Sequence, residues 1–240
     1  MLYIFFMLIT KYYSPNFDLK QRSNNKITHI IIHYTGMQSE RESIEKLCSP
    51  KSKVSCHYLI NRNGQIFNLV KDKNIAWHSG KSMWGKHKNL NNRSLGIELV
   101  NKGHRHGYQS FTKIQIFKLI KLCKYLKKKY RIKNKFILGH SDIAPLRKVD
   151  PGEKFPWSYL SLKGIGIYPK KIKKKKIKPY NIRVFYKNLY KIGYRYLEVK
   201  FQKKIIKNFQ RKFRQKRVDG VLDQETINIS EILAKKPNIA

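Results

Sequence analysis

Cysteine is scarce in this chain, and its scarcity limits the kinds of site that the chain can form. The 240 residues include three cysteines, at positions 48, 56 and 123, and no Cys-x-x-Cys pair. An odd and widely spaced set excludes a disulfide framework and lacks the spacing of a cysteine zinc site. We expect Cys56 to be a small buried side chain rather than a nucleophile.

Acidic residues are also few: 14 Asp and Glu stand against 53 Lys and Arg, which leaves a formal net charge of +39. Such a field attracts any polyanion, so nucleic acid and an anionic envelope surface are both credible partners. The lysines are spread over the whole chain, however, and zinc-finger spacing, a recognition-helix pattern and an aromatic RNP-like strand are missing. We therefore expect no specific nucleic-acid partner, and polyanion binding is the least favoured function.

The apolar N-terminal segment 1–9 is too short to span a bilayer. It has no preceding basic residue, no small-residue cleavage site and no lipobox cysteine. Two interpretations stay open, an atypical export signal and an extension that packs on the following domain.

The sequence does contain residues suited to one hydrolytic zinc ion. His33 ends an apolar β-branched run at 27–32, which predicts a buried strand, and His140 ends a second run at 136–139. Asp150 lies in a loop punctuated by prolines. A hydrolytic zinc needs three protein ligands and an open position, where the pKa of water falls from near 16 to about 7. Two imidazoles and one carboxylate meet that need.

Two further residues have the chemistry to assist. Glu98 stands between Ile97 and Leu99, so an alternating strand would bury those neighbours and turn the carboxylate the other way, where it suits a general base. Lys148 lies two residues before Asp150, so in an extended segment the two side chains share a face. Its ammonium suits the stabilisation of an oxyanion. Each residue taken singly is more often structural, and it is the combination that favours a hydrolase.

Six motifs follow one another between about Ser14 and Trp157: His-Tyr-Thr at 33–35, Ser-Cys-His-Tyr-Leu-Ile at 55–60, Ala-Trp-His-Ser-Gly at 76–80, Asn-Arg-Ser-Leu-Gly-Ile-Glu-Leu-Val-Asn at 92–101, Gly-His-Ser-Asp-Ile-Ala-Pro at 139–145 and Arg-Lys-Val-Asp-Pro-Gly at 147–152. In this order they resemble the zinc-dependent N-acetylmuramoyl-L-alanine amidases of the type 2 amidase superfamily, which includes the peptidoglycan recognition proteins.

The resemblance implies that one Zn²⁺ per chain is bound by His33, His140 and Asp150, and that Glu98 and Lys148 assist the chemistry. It implies hydrolysis of the amide bond between N-acetylmuramic acid and L-alanine in peptidoglycan or muropeptides. The alternative is a recognition module without turnover, as occurs in this superfamily when a metal ligand is lost. All five expected positions are filled here, which favours the enzyme.

The motifs also suggest which side chains meet the substrate: Tyr34, Trp77, His78, Asn92 and Arg93. For His57, a packed position in the protein interior is expected at least as much as a functional role. The remaining histidines are predicted at the surface: His29, His87, His104 and His106.

The pattern predicts an α/β fold, with a mixed central β-sheet flanked by helices and a small C-terminal α-helical bundle. Strands are predicted at 26–34, 56–62, 65–70, 95–101 and 135–139, and helices at 39–48 and 112–129. The domains are predicted as an N-terminal segment (1–25), a catalytic domain (26–160), a basic linker (161–179) and a helical domain (180–240).

Phe-Gln-Arg-Lys-Phe at 209–213, followed by Asp-Gly-Val-Leu-Asp-Gln-Glu-Thr at 219–226, resembles the three-helix peptidoglycan-binding domain that is often fused to these amidases. An ordinary bundle that only packs on the catalytic domain is an equal alternative. We expect a monomer in the periplasm or cell envelope, with a cytoplasmic recycling enzyme as the alternative.

Overall fold

Apolar β-branched segments form the central sheet of this computed structural model, which describes residues 8–169 and 181–235. In chain order the strands are β1 (Leu8–Ile9), β2 (Phe17–Asp18), β3 (His29–Tyr34), β4 (Tyr58–Ile60), β5 (Ile66–Asn68), β6 (Ile75–Ala76), β7 (Met83–Trp84), β8 (His87–Lys88), β9 (Ser94–Leu99) and β10 (Ile137–Gly139). Within those ranges, six strands form the main sheet in the order β1-β5-β4-β9-β3-β10. The pairs β2-β6 and β7-β8 are separate ribbons.

Parallel pairing of the central strands brings their carboxyl ends to one edge of the sheet. Strand β9 is parallel to β3, with Glu98 directly opposite His33. Strand β10 is parallel to β3 on its other side, with Gly139 opposite Ile32. The strands predicted at 56–62 and 65–70 are present as the antiparallel pair β4 and β5. Side chains from three separate parts of the chain therefore meet beyond the ends of β3, β9 and β10.

Helices cover both faces of the sheet. They are α1 (Glu40–Cys48), α2 (Lys113–Tyr130), α3 (His140–Ile143), α4 (Trp157–Leu162), α5 (Ile182–Ile192), α6 (Gln202–Phe213) and α7 (Gln224–Ala234). On one face, Ile30 and Ile32 share a core with α2. On the other face, Ile31 and Leu138 share a core with α5, α6 and α7. This two-sided cover explains why β3 is a continuous apolar run.

Side-chain caps confirm the predicted helix starts. The Oγ of Ser39 accepts from the Glu42 amide at 3.1 Å, and Thr112 accepts from the Gln115 amide at 3.2 Å. Asp223 accepts from the Thr226 amide at 2.9 Å and caps the start of α7 in the same way. Each bond satisfies an amide that the first helical turn leaves free.

Strands β3 and β10 begin later than predicted. Residues 24–26 and 134–136 form short 3₁₀ helices ahead of β3 and β10. His140 is the first residue of α3 as well as the residue that follows β10. Helix α4 continues to Leu162, into the predicted linker. Residues 1–7, 170–180 and 236–240 lie outside the described residues, and the second of these ranges includes most of the predicted basic linker. The domain boundaries stay predictions. In the part described, every helix is too short or too polar to cross a membrane.

Candidate metal and active site

Two histidines and one aspartate converge at the carboxyl edge of the sheet. The Nδ1 atoms of His33 and His140 are 2.9 Å apart, and each lies 3.1 Å from Oδ2 of Asp150. All three side chains are buried, with at most 7% of each residue exposed. Within the described residues, these three groups are the set that could hold a metal ion. Strand β3 positions His33, the start of α3 positions His140, and the loop after α3 positions Asp150.

Hydrogen bonds on the far side of each ring determine which nitrogen faces the centre. The Ser94 hydroxyl donates to the Leu90 carbonyl at 2.5 Å, so its oxygen accepts from Nε2 of His78 at 3.1 Å. The Nδ1 of His78 then accepts from Nε2 of His33 at 3.0 Å. This chain leaves a lone pair on the Nδ1 of His33, directed at the centre.

His140 is oriented in the same way. Its Nε2 donates to the Ser79 carbonyl at 3.1 Å, which leaves a lone pair on Nδ1. Two nitrogen lone pairs and a carboxylate oxygen thus point at one another, an arrangement that repels itself unless a cation lies between them. Donor separations near 3 Å suit a zinc ion about 2.0–2.1 Å from each ligand. The residues present therefore fit zinc.

Glu98 lies beside this centre with an unpaired oxygen. Its Oε2 is buried and has no hydrogen-bond partner, whereas Ile97 and Leu99 pack in the opposite core, as the alternating pattern predicts. Burial, followed by repulsion from Asp150, raises the pKa of Glu98 to about 8, and Lys148 opposes the shift. A metal cation at the centre would favour the ionised form in the same way as Lys148 does.

A cavity of about 500 Å³ opens onto His140 and Asp150 of the candidate metal site. Tyr34, Trp77 and His78 line it together with Glu98 and Lys148. The Tyr34 hydroxyl and Nδ1 of His104 are 2.8 Å apart on the exposed rim. Positive charge predominates in the lining, where four cationic side chains accompany the two carboxylates: Lys46, Arg105, Arg147 and Lys148. The cavity therefore has the charge to receive an acidic ligand.

Comparison with known proteins agrees with this geometry. A family model described as N-acetylmuramoyl-L-alanine amidase matches residues 23–153. The N-acetylmuramoyl-L-alanine amidase AmiD of Escherichia coli is 33% identical over 238 residues, which cover 90% of this chain and 85% of that protein. The chain belongs to the N-acetylmuramoyl-L-alanine amidase family.

Solved structures of this amidase family support the assignment. The E. coli AmiD structure superposes with a TM-score of 0.81 at 31% identity, covering 93% of this chain and 94% of that one. AmpDH3 from Pseudomonas aeruginosa gives a TM-score of 0.80 at 28% identity, with 96% and 98% covered. The predicted family and α/β fold are confirmed, and the chain is an amidase.

Not every residue that the sequence analysis selected reaches the cavity. Asn92 and Arg93 lie in a 3₁₀ helix before β9, at the opposite end of that strand from Glu98. Their neighbour Asn91 has a supporting role instead, because its Oδ1 accepts from the amides of His78 (3.2 Å) and Ser79 (2.7 Å). Asn91 immediately precedes the motif at 92–101, and it supports the backbone of His78 and Ser79 from behind the cavity.

The sequence analysis also missed several supporting contacts. Ser94, through His78, orients His33, and the Ser79 carbonyl orients His140. Arg147 donates to the carbonyls of Ser79 and Lys81, the latter at 2.9 Å. Ser94 follows Arg93 within a family motif, so its position was the available signal. The surface prediction for His29 is wrong: it is fully buried against Phe136 because it begins the central strand.

His57 is packed, as expected. Its Nδ1 accepts from the Gly96 amide at 3.0 Å, and its Nε2 lies 3.1 Å from the Asn74 carbonyl. Burial, followed by repulsion from the Arg22 charge, lowers the pKa of His57 to about 3. A neutral ring held in this way supports the sheet rather than the metal centre.

Proposed function

We propose that this amidase is zinc-dependent and cleaves the amide bond between the lactyl group of N-acetylmuramic acid and L-alanine in muropeptides, for cell-wall turnover or recycling. One observation carries the proposal: three inward-directed lone pairs meet beside the unpaired carboxyl of Glu98. The AmiD structure holds anhydro-N-acetylmuramic acid-L-Ala-D-gamma-Glu-L-Lys, and the AmpDH3 structure holds an anhydromuramic pentapeptide. We infer that 1,6-anhydro muropeptides are substrates here too.

His33, His140 and Asp150 would hold the zinc ion. When bound, zinc lowers the pKa of water and polarises a carbonyl. His140 and Asp150 line the open cavity, so a substrate could approach the metal site from that side. The cationic lining suits the carboxylates of a stem peptide.

Glu98 is the proposed general base and then general acid. Its Oε2 removes a proton from the attacking water as the new C–O bond forms, and delivers that proton to the departing nitrogen as the C–N bond breaks. The two products are the free lactyl carboxylate and the amino group of L-alanine. A carboxyl whose pKa lies near neutrality is suited to both halves of this transfer.

Lys148 is the proposed electrostatic partner. Its side chain lines the same cavity as Glu98 and stands two residues from Asp150. Negative charge develops on the carbonyl oxygen during attack, and an ammonium placed beforehand stabilises that charge without reorganisation. Tyr34, Trp77 and His78 are proposed to line the substrate path.

Cleavage of a purified anhydro-muropeptide, followed by mass spectrometry, tests the assignment. We expect the wild type to release the intact peptide and the free anhydro sugar, and Glu98→Ala and His140→Ala to release neither at a comparable rate. Unchanged rates in both variants would remove these residues from the mechanism.

We also propose a monomer in the periplasm or cell envelope, with the cytoplasm as the alternative, and a peptidoglycan-binding role for the predicted helical domain, 180–240. Fractionation of an epitope-tagged chain tests the location. Co-sedimentation with purified sacculi tests wall binding, and an Asp150→Asn chain that still sediments would separate binding from turnover.

A further inference from the structure

Helix α6 of the C-terminal unit packs directly against the segment that carries three of the proposed active-site residues. This segment, residues 139–155, is called the catalytic loop and includes His140, Lys148 and Asp150. Asn208, Arg211 and Lys212 stand at helical positions i, i+3 and i+4 and therefore share one face of α6. Each of them contacts the catalytic loop.

Asn208 bonds to the loop backbone on both sides of a turn. It is 1% exposed, and its Nδ2 donates to the carbonyls of Pro145 and Lys148, the latter at 3.2 Å. Its Oδ1 accepts from Arg211 at 2.7 Å, which determines the orientation of the amide. Asn208 therefore donates to two carbonyls of the backbone segment that presents Lys148.

A buried ion pair joins the same helix to the start of the loop. Asp142, two residues after His140, receives the ammonium of Lys212 on Oδ2 and the hydroxyl of Tyr194 on Oδ1 at 2.6 Å. Its Oδ2 also accepts from the Gly139 amide at 2.8 Å. All three side chains are at most 3% exposed. Because a buried carboxylate is stable only when it is paired, the loop start and α6 depend on each other.

Two more contacts extend the attachment. Arg211 lies 3.4 Å from Glu153, close enough for charge attraction. Gln215, just beyond α6, donates to the Phe155 carbonyl at 2.6 Å. Within the loop, the Ser141 amide donates to the Asp150 carbonyl at 2.9 Å, so a shift at either end would move both metal ligands together.

We propose that α6 is a positioning element of the active site: Asn208 and Lys212 hold the catalytic loop in the geometry in which His140 and Asp150 bind the metal and Lys148 faces the substrate. The C-terminal unit thus completes the amidase site in addition to any affinity for the wall. The turnover part of this inference rests on the proposed function, but its metal-binding part does not.

Asn208→Leu in the full-length chain tests the inference, because leucine has the same number of side-chain heavy atoms and removes both donated bonds. The matched control is Asn188→Leu, since Asn188 is also a buried asparagine of the helical unit but donates to Ser230 within that unit. Zn²⁺ affinity of the metal-free chains, the absorption spectrum with Co²⁺, and kcat and KM on an anhydro-muropeptide are measured for both.

For Asn208→Leu we expect Zn²⁺ binding about 10-fold weaker or more, an altered Co²⁺ spectrum, and kcat about 10 to 100 times lower with KM little changed. Asn188→Leu should keep the wild-type values even where its Tm falls. Hydrogen exchange at the Ala144, Arg147 and Lys148 amides should quicken in Asn208→Leu alone.

Wild-type metal affinity and exchange in Asn208→Leu, or equal losses in both variants that follow Tm, would overturn the inference. If the wild-type chain fails to cleave the muropeptide, the proposed function fails, while the metal affinity, spectrum and exchange still decide the role of α6.

Discussion

Glu98, the proposed general base, shows at the level of a single side chain how the proposed role opposes stability. Its buried oxygen has no partner, and its pKa is raised to about 8 from an ordinary value of 4.5. The folded chain therefore keeps the proton while the unfolded chain loses it as the pH rises through that window. The free energy of unfolding falls by up to about 1.4 kcal/mol per pH unit between those two values.

Glu98→Gln should separate the two effects. Glutamine cannot ionise, so the metal-free variant should melt at a higher temperature than the metal-free wild type, with a difference that grows from pH 5 to pH 8. Its activity should fall by about 10² to 10⁴-fold because proton transfer is lost. Thermal melts after chelation and muropeptide cleavage check both; a stability difference that shrinks as the pH rises would contradict the reasoning.

His29→Phe should stabilise the protein. The Nε2 of His29 is buried without a partner, and burial lowers the pKa of His29 to about 3. As the pH falls from 6.5 toward 3, the unfolded chain gains a proton that the folded chain refuses, so stability declines through that window. Phenylalanine removes both penalties and should add about 1 kcal/mol at pH 7, and more at pH 5.

Urea unfolding at the two pH values measures the effect of His29→Phe. His106→Gln, at an exposed position, is the control and should leave stability unchanged. An equal gain at both pH values would show that the ring is not kept neutral by burial.

The candidate metal ligands could be found from sequence because His33 and His140 each end an apolar run and Asp150 lies in a loop punctuated by prolines. The same reasoning failed where partners come from distant parts of the chain. Ser94, His78 and His33 form one hydrogen-bonded series, yet no local pattern indicates which serine lies behind which histidine. The choice of Asn92 and Arg93 failed in a similar way. They belong to the same motif as Glu98, but they precede β9 and so lie at the opposite end of that strand from Glu98.

At the scale of elements, the register of β3 and β9 builds the site. His33 faces Glu98 across the ladder, and Ile31 faces Gly96. The sequence analysis predicted both strands, and the parallel register between them came only from the structure. Gly96 is required here because a Cβ would lie 2.5–2.8 Å from three atoms of the His78 ring. Because Gly96 has no side chain, there is room beside β9 for the His78 ring, which orients His33.

Gly96→Ala should displace His78 and weaken metal binding. We expect Zn²⁺ affinity to fall by about 10-fold or more and the free energy of unfolding by about 1 to 3 kcal/mol, because the added methyl overfills the site. Calorimetric titration and urea unfolding measure the two effects.

Gly164→Ala is the comparison for that experiment. Its φ of +79° makes alanine costly, but a Cβ there meets no atom within 4 Å. It should lower stability by about 1 kcal/mol and leave metal affinity intact. Equal metal affinity in both variants would show that the ring has room to move.

The whole molecule is dominated by positive charge. A formal +39 spread over the surface should give binding to DNA and heparin that weakens steeply with salt. Because this attraction depends on charge and not on sequence, two unrelated DNA duplexes of equal length should bind with equal affinity in filter-binding assays at every salt concentration. A sequence preference that persists as salt increases would indicate a dedicated nucleic-acid surface.

The shared core of sheet and C-terminal helices has a consequence for how such enzymes can be shortened. Ile31 and Leu138 are fully buried among side chains that include Phe185 and Phe209 of the helical unit. A chain ending near residue 169 would expose that apolar face of the sheet to water and would tend to precipitate. A shortened enzyme without α5, α6 and α7 would therefore need polar residues in place of the apolar side chains on this face of the sheet. The same substitutions would be needed wherever these helices are gained or lost in evolution.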